Sequence, residues 1–237
     1  MTIRVLLTRP REDALTLAVM LESKGFSPII EPVMEIITLP LSELPQTTNG
    51  LVLTSKHAAR AYAEQASERT IPIYAIGPAT AAYARALGFT DVHAAQGSVE
   101  SLVDMVRTHA TPDQSYIYLS GADISQPVEQ LLQNYQIPCR RYIAYDARAK
   151  SNFSAETQQL LQAGDINAVL FFSRRSANIF IQLLKDMKPT SMEAFCLSKA
   201  IADSLSPKDW RAIHTSPTIT QEALVMTLLN RYNQCHD

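Results

Sequence analysis

The chain of 237 residues contains few of the residues that build disulfide-linked or metal-bound frameworks. Its three cysteines, Cys139, Cys196 and Cys235, are far apart, and no two of them form a CxxC pair. The sequence therefore predicts neither a disulfide framework nor a zinc knuckle, and it favours a reducing compartment. The five histidines show no metal-ligand spacing. We expect a protein without a metal.

Long apolar runs and an excess of positive charge are also missing. The longest apolar runs, such as residues 168–172, are far below the roughly 20 residues that a membrane helix needs. The apolar stretch near the amino terminus, residues 5–7, is too short for the core of a signal peptide. A net charge of -2 gives no positive field that would attract nucleic acid or an anionic membrane. We expect a cytoplasmic protein with neither of these partners.

Glycine is scarce, with seven residues in the whole chain. The turn Gly77-Pro78-Ala79-Thr80 lacks the glycines of a Walker or dinucleotide-binding loop. A serine nucleophile at Ser55 or Ser173 would lack an identifiable general base. Nucleotide binding and serine hydrolase chemistry are therefore not predicted.

What the sequence does have is a regular alternation of apolar strands with amphipathic helices. The first helix, for example, places Ala14, Leu17, Ala18 and Leu21 on one face. Such alternation predicts parallel sheets with right-handed crossovers. We predict an α/β fold with two doubly wound domains. Residues 1–35 and 148–237 would form a discontinuous domain, and residues 36–147 an inserted domain that includes the crossover strands.

Two extended segments are predicted to carry the chain between these domains. Pro32 and Pro40 bracket the outward segment, and residues 141–146 form the returning strand. Strict alternation along that strand places Tyr142 and Tyr145 on opposite faces. We predict that Tyr145 faces the cleft between the domains.

The two predicted domains share an internal repeat of their turns. The turn at Ser55 matches the turn at Ser173, and the turn at Ser98 matches the turn at Thr220. Ser98 is also predicted to cap the helix that follows it, because its hydroxyl can accept a hydrogen bond from a free backbone N–H. The further matches are Gly77 with Ser198 and Ser120 with Thr8. Each match alone is weak, since small and hydroxyl-bearing residues are common at such turns, but their shared order indicates two related halves.

The predicted turns carry several cations although the chain is net negative. Ligands of doubly wound sheets bind at the carboxyl ends of the strands, where helix N-termini favour anions. The cations at these turns are Arg9, Arg11, Lys56, Arg174, Arg175 and Lys199. We interpret them as a site for a ligand with several dispersed carboxylates or phosphates. The alternative is that charged residues collect at turns only because turns are exposed.

Several short motifs, spread over nearly the whole chain, resemble the uroporphyrinogen-III synthase (HemD) family. They are Leu7-Thr8-Arg9-Pro10, Leu53-Thr54-Ser55, residues 75–81, Tyr145, Phe172-Ser173, Ser216-Pro217-Thr218 and Glu222-Ala223-Leu224. The resemblance implies two flavodoxin-like domains joined by a two-stranded linker. It also implies a monomeric, cofactor-free cyclising lyase. Such an enzyme acts on hydroxymethylbilane, a linear tetrapyrrole with eight carboxylates, inverts its last ring and releases water.

The same resemblance suggests functional residues. Tyr145 corresponds to the tyrosine implicated as proton donor, with Tyr142 as its rival. The expected substrate-binding residues are Thr8, Arg9, Ser55, Lys56, Gly77, Thr80, Ser120, Gly121, Ser173, Arg174, Ser176, Ser198 and Lys199.

Two positions depart from the family pattern. Ser198-Lys199 stands where a glycine and a Thr-Ala pair are usual, and Asp123 stands where an arginine often occurs. Lys199 is predicted to compensate by adding a cation. Two alternatives stay open: a non-catalytic two-domain protein that binds an anionic small molecule, and a degenerate paralogue of the synthase.

Overall fold

A computed structural model describes residues 2–41, 44–45, 48–111 and 114–233 of the chain. The chain divides into two compact units, Met1–Glu35 with Arg148–Asp237, and Ile36–Ala147. Each unit contains its own sheet, and helices alternate with the strands. The predicted α/β class with two doubly wound sheets is confirmed.

The secondary structure is as follows. The strands are β1 (Arg4–Leu7), β2 (Ser27–Ile30), β3 (Met34–Thr38), β4 (Leu51–Leu53), β5 (Ile73–Ala75), β6 (Val92–Ala94), β7 (Tyr116–Gly121), β8 (Cys139–Ala149), β9 (Ala168–Phe171), β10 (Glu193–Cys196) and β11 (Ala212–Thr215). The helices are α1 (Arg11–Ser23), α2 (Lys56–Gln65), α3 (Pro78–Ala86), α4 (Val99–His109), α5 (Val128–Gln133), α6 (Ala155–Ala163), α7 (Arg174–Leu184), α8 (Lys199–Ala202) and α9 (Gln221–Asn233). None of these helices has the length and apolar character that crossing a bilayer requires.

The first unit has a parallel sheet with the strand order β11-β10-β9-β1-β2. When the five strands are counted in chain order within this unit alone, this is the strand order of flavodoxin. Alternation along β1 sends Leu6 into one core layer and Val5 and Leu7 into the other. The predicted face of α1 is confirmed, because its four predicted residues are its buried ones. Both faces of this sheet are therefore covered by helices.

The second unit has the strand order β3-β8-β7-β4-β5-β6. Strands β4 to β8 pair in parallel. β3 runs antiparallel to β8, since Leu39 N donates to Ala144 O while Lys150 N donates to Val33 O. The chain crosses from one unit to the other within these two strands. They are the observed form of the predicted two-stranded linker, and β8 continues to Ala149, into the segment that we expected to be a polar link.

The sheet orders agree with the internal repeat. The series β6-β5-β4-β7-β8 corresponds, strand for strand, to β11-β10-β9-β1-β2. Ser55 and Ser173 follow matching strands, and each caps the next helix by accepting a hydrogen bond from a backbone N–H. Ser98 likewise caps α4, as predicted. Five strands of each sheet are therefore arranged in the same order, but the first strand along the chain occupies a different place in that order in each sheet.

One prediction about the returning strand is wrong. The register shifts between Ser120, which pairs with Ile143, and Gly121, which pairs with Tyr145. Ala144 is therefore the extra residue of a β-bulge. Tyr142 and Tyr145 do not lie on opposite faces, because both pack against the apolar cluster that contains Ala144.

The cysteines described by the structure are buried free thiols. Burial raises the pKa of Cys139 and the pKa of Cys196 to about 12, so neither is a reactive thiolate at neutral pH. Cys235 and His236 lie outside the described residues.

Candidate functional site

The clearest candidate site lies at the carboxyl edge of the second unit's sheet, around the ring of Tyr145. The half-buried ring rests directly on the backbone of Gly121. A Cβ atom built on Gly121 would lie 2.9 Å from Cε2 and Cζ of Tyr145 and 3.1 Å from its hydroxyl oxygen. Any larger residue at 121 would therefore meet the ring. This contact gives Gly121 a packing role beside its predicted contact with substrate.

His57 is the second ring at this site. Its imidazole meets the Tyr145 ring edge-on, with 5.5 Å between the ring centroids. α2 places it there, because the Ser55 hydroxyl caps this helix and accepts a hydrogen bond from His57 N at 3.2 Å. Sequence reasoning missed His57 because it tested the histidines only for metal-ligand spacing. The available signal was the position of His57 two residues after Ser55, a serine in the turn that follows a strand.

Arg141 binds the turn on which the Tyr145 ring rests. Its Nε donates to the Ser120 hydroxyl at 2.7 Å, and its Nη2 donates to the carbonyl oxygens of Gly121 at 2.9 Å and Ala122 at 2.8 Å. Ala122 N in turn donates to the carbonyl oxygen of Tyr145 at 2.9 Å. No sequence pattern distinguished Arg141 from the other basic residues of β8.

Two other tyrosines stand near Tyr145 and differ from it. Tyr118 is 1% exposed, burial raises the pKa of its phenol, and its hydroxyl lies 3.1 Å from that of Thr54. Tyr142 lies under Arg140, with 5.1 Å from the guanidinium carbon to the ring centroid. Among these three phenols, Tyr145 is the one that is partly exposed and also lies beside Gly121, the last residue of β7.

The remaining predicted residues of this unit lie at neighbouring turns. Gly77 precedes α3 at a close backbone approach, where an added Cβ would lie 3.3 Å from the Cα of Gly97. Thr80 is buried in α3. The Lys56 ammonium lies 5.4 Å from the centre of the Tyr83 ring. Lys56 is therefore a cation of this edge, while Gly77 permits the close backbone approach beside it.

The first unit has a corresponding edge at the ends of β1, β9 and β10. The Arg9 guanidinium lies over the Phe172 ring, 4.4 Å from its centroid, and its Nη1 donates to Gln221 Oε1 at 2.7 Å. Burial lowers the pKa of Arg9, against the opposing effect of Asp13. Arg9 is thus a partly buried cation held in place by an aromatic ring and an amide.

Several predicted hydroxyls are directed into the protein. Thr8 is fully buried, and its hydroxyl donates to Leu170 O at 2.9 Å. Ser120 is 1% exposed, and its hydroxyl donates to Gly121 O at 2.9 Å. The buried Ser176 has its hydroxyl oxygen 2.9 Å from that of the cap residue of α7. These hydroxyls have a structural role in the edges where we predicted substrate contacts.

The predicted cations Arg174 and Lys199 are exposed at the first turns of α7 and α8. The Lys199 ammonium binds both carboxylate oxygens of Asp203, at 2.7 and 2.9 Å. Ser198 begins α8 without a side-chain capping hydrogen bond. Lys199 therefore offers a charge that is already shared with a neighbouring carboxylate.

A large cavity lies elsewhere in the second unit. It has a volume of about 790 Å³ and is found at the amino-terminal ends of β4 and β5, against Leu51 and Pro72. Its described lining includes Glu68 but no lysine or arginine. This lining does not suit a polycarboxylate. Within the part of the chain that the structure describes, no three His, Cys, Asp or Glu residues are grouped so that they could hold a metal ion.

Comparison with known proteins gives a consistent result. A family model described as uroporphyrinogen-III synthase HemD matches residues 16–226. A curated porphyrin biosynthesis protein HemD from Ruminiclostridium josui is 20% identical over 89% of this chain. The chain spans 45% of that relative's length.

Solved structures show a similar fold. Uroporphyrinogen-III synthetase from Helicobacter pylori 26695 matches with a TM-score of 0.68 at 16% identity, over 98% of this chain and 100% of the other. A mutant uroporphyrinogen III synthase from Thermus thermophilus matches with a TM-score of 0.53 at 16% identity, over 99% of both chains.

Proposed function

The chain belongs to the uroporphyrinogen-III synthase family, and on that premise we propose that it converts hydroxymethylbilane to uroporphyrinogen III. The reaction inverts the terminal pyrrole ring, closes the macrocycle and releases water. The observation that carries the proposal is the half-buried phenol of Tyr145, which rests on Gly121 at the carboxyl edge of a parallel sheet. Ligands of doubly wound sheets bind at that edge.

In the proposed mechanism, Tyr145 acts as the proton donor. Its phenol carries an O–H group that can donate a proton to the leaving hydroxyl group. The C–O bond then breaks, water leaves and an azafulvene cation forms. The substituted carbon of the last ring attacks the methylene carbon of this cation to give a spiro intermediate, which fragments and recloses in the inverted sense. Loss of a proton from the last ring then gives the neutral product and returns a proton to the Tyr145 phenolate. Positioned acid catalysis of this kind contributes roughly 10²–10⁴-fold.

The substrate's carboxylates require cations. Lys56 lies at the same edge as Tyr145, and Arg174 lies at the equivalent edge of the other sheet. Helix N-termini at both edges add backbone N–H groups and a positive dipole end. The substrate's carboxylates keep their charge throughout the reaction, so these cations bind the ground state and the transition state about equally well. We therefore expect them to lower KM more than they raise kcat.

The test is an isomer assay on the purified protein. A coupled deaminase supplies hydroxymethylbilane, and the uroporphyrinogen I and III products are separated. Type III product in proportion to enzyme supports the proposal. Type I product alone means spontaneous closure, and it would leave the anion-binding protein and the degenerate paralogue as the remaining functions.

A further inference from the structure

We propose that Arg141 is a positioning residue for Tyr145, an inference that rests on the proposed function. It is half-buried on β8, four residues before the tyrosine. Its guanidinium donates to three acceptors at the end of β7, which are the hydroxyl of Ser120 and the carbonyl oxygens of Gly121 and Ala122. A planar fork of donors suits several fixed acceptors in a way that a flexible ammonium does not.

These three bonds occur where the β7–β8 pairing changes register. Upstream, Tyr118 pairs with Arg141 itself. Downstream, Gly121 pairs with Tyr145 and one residue of β8 is bulged out. Since successive side chains of a strand alternate between faces, an unbulged β8 would present Tyr145 to the opposite face. The bulge therefore decides which way the phenol points.

Arg141 connects the two sides of this bulge. Its backbone belongs to the regular ladder before the shift, and its side chain holds the backbone of β7 after the shift. From there the contact with Tyr145 is direct, because Ala122 N donates to its carbonyl oxygen at 2.9 Å and Gly121 lies under its ring. Arg141 thus fixes the turn on which the proton donor rests, without approaching the reacting atoms itself.

The position also bears on the departure at Asp123. The turn carries an acid where the resemblance led us to expect an arginine. Arg141 supplies a guanidinium to the same turn from the neighbouring strand. Its role here is to hold the turn carbonyls, and the substrate's carboxylates need not be its ligands.

The test is a double-mutant cycle on the full chain. Arg141→Met should lower kcat for uroporphyrinogen III about tenfold with a smaller change in KM, because the donor is misplaced while the exposed cations are intact. In the Tyr145→Phe background the same substitution should change kcat by less than about twofold, since its route of action is already removed. Arg141→Lys keeps the charge and should recover only part of the loss.

The matched control is Arg140→Met, which removes the same charge from the adjacent, exposed residue of β8. It should leave kcat within about twofold in both backgrounds. Equal losses from Arg141→Met with and without the Tyr145 hydroxyl would overturn the inference, and so would full activity of that variant. Failure of the wild type to form the III isomer would instead refute the proposed function. In that case, ¹⁹F NMR of fluorotyrosine-labelled protein tests the inference. The Tyr145 signal should shift in Arg141→Met and should not shift in Arg140→Met. An unshifted Tyr145 signal in Arg141→Met would contradict the inference.

Discussion

The contact between Gly121 and the Tyr145 ring makes the substitution Gly121→Ala a direct test of the site. The added Cβ would lie 2.9 Å from two ring carbons. Non-bonded carbons pack at about 3.5–4.0 Å, so the ring must retreat by roughly 0.6–1 Å. The backbone at Gly121 has no positive φ, and alanine can adopt its conformation. The effect should therefore come from displacement of the ring.

Two measurable losses follow from that displacement. Overpacking of this kind costs about 1–3 kcal/mol of unfolding free energy. A misplacement near 1 Å can cost about 10²-fold in rate, so we expect kcat for uroporphyrinogen III to fall roughly 10- to 100-fold. Urea unfolding measures the first loss, and the coupled isomer assay measures the second.

Two further variants separate ring displacement from general destabilisation. In a Tyr145→Ala background, Gly121→Ala should no longer destabilise the protein, because the ring it meets is gone. Gly50→Ala is the matched control: its Cβ would lie 2.7 Å from the Tyr74 ring, just before β4 begins and at the opposite end of the sheet. It should lower stability by at least as much, because the added Cβ would also lie 3.0 Å from the backbone oxygen of Pro72, and it should leave kcat within about twofold. A Gly121→Ala enzyme with wild-type kcat would refute the reasoning.

Three more predictions concern single side chains. Tyr145→Phe should lower turnover at least about tenfold with the melting temperature retained, because a positioned donor is lost; unchanged kinetics would remove Tyr145 from the mechanism. Lys199→Glu should raise KM in the isomer assay, since it replaces a cation by an anion that repels the substrate's carboxylates; an unaltered KM would show that Lys199 does not bind substrate. Glu193→Gln should cost about 2–3 kcal/mol in urea unfolding at neutral pH, because Glu193 is 1% exposed and Arg231 binds both its carboxylate oxygens. Burial raises the pKa of Glu193, but bonds from Arg231 and His214 outweigh it and lower this pKa overall. The stability is therefore present above the unfolded-state pKa and lost as pH falls through the folded one, and the Gln variant should lack this acid loss.

The sequence was sufficient to predict features that depend on local periodicity. The apolar spacing of α1 identified its buried face. Ser98 was predicted as a cap because a hydroxyl before a helix satisfies a free N–H. The order of the turn motifs predicted two related sheets, which share one strand order. In each case the cause lies within about one turn or one strand of the residues concerned.

The orientation of Tyr145 could not be predicted in the same way. A period of two along β8 is the correct expectation for an uninterrupted strand. The bulge at Ala144 depends on a neighbouring strand about 23 residues earlier, through its register with Gly121. His57 and Arg141 were missed for a related reason, because each acquires its role only through a contact with another element.

The repeat shows how two equivalent edges acquired different chemistry. β1 corresponds to β7, and Thr8 to Ser120, so Arg9 occupies the position that Gly121 has in the second unit. At that position, the second unit has no side chain, and a tyrosine ring from the adjacent strand fills the space. The first unit instead places a guanidinium there, held over Phe172. A glycine in one unit and an arginine in the other, after corresponding strands, thus distinguish an edge that accommodates the Tyr145 ring from an edge that presents a cation. Exchanging the pair, with Arg9→Gly and Gly121→Arg, should abolish formation of the III isomer.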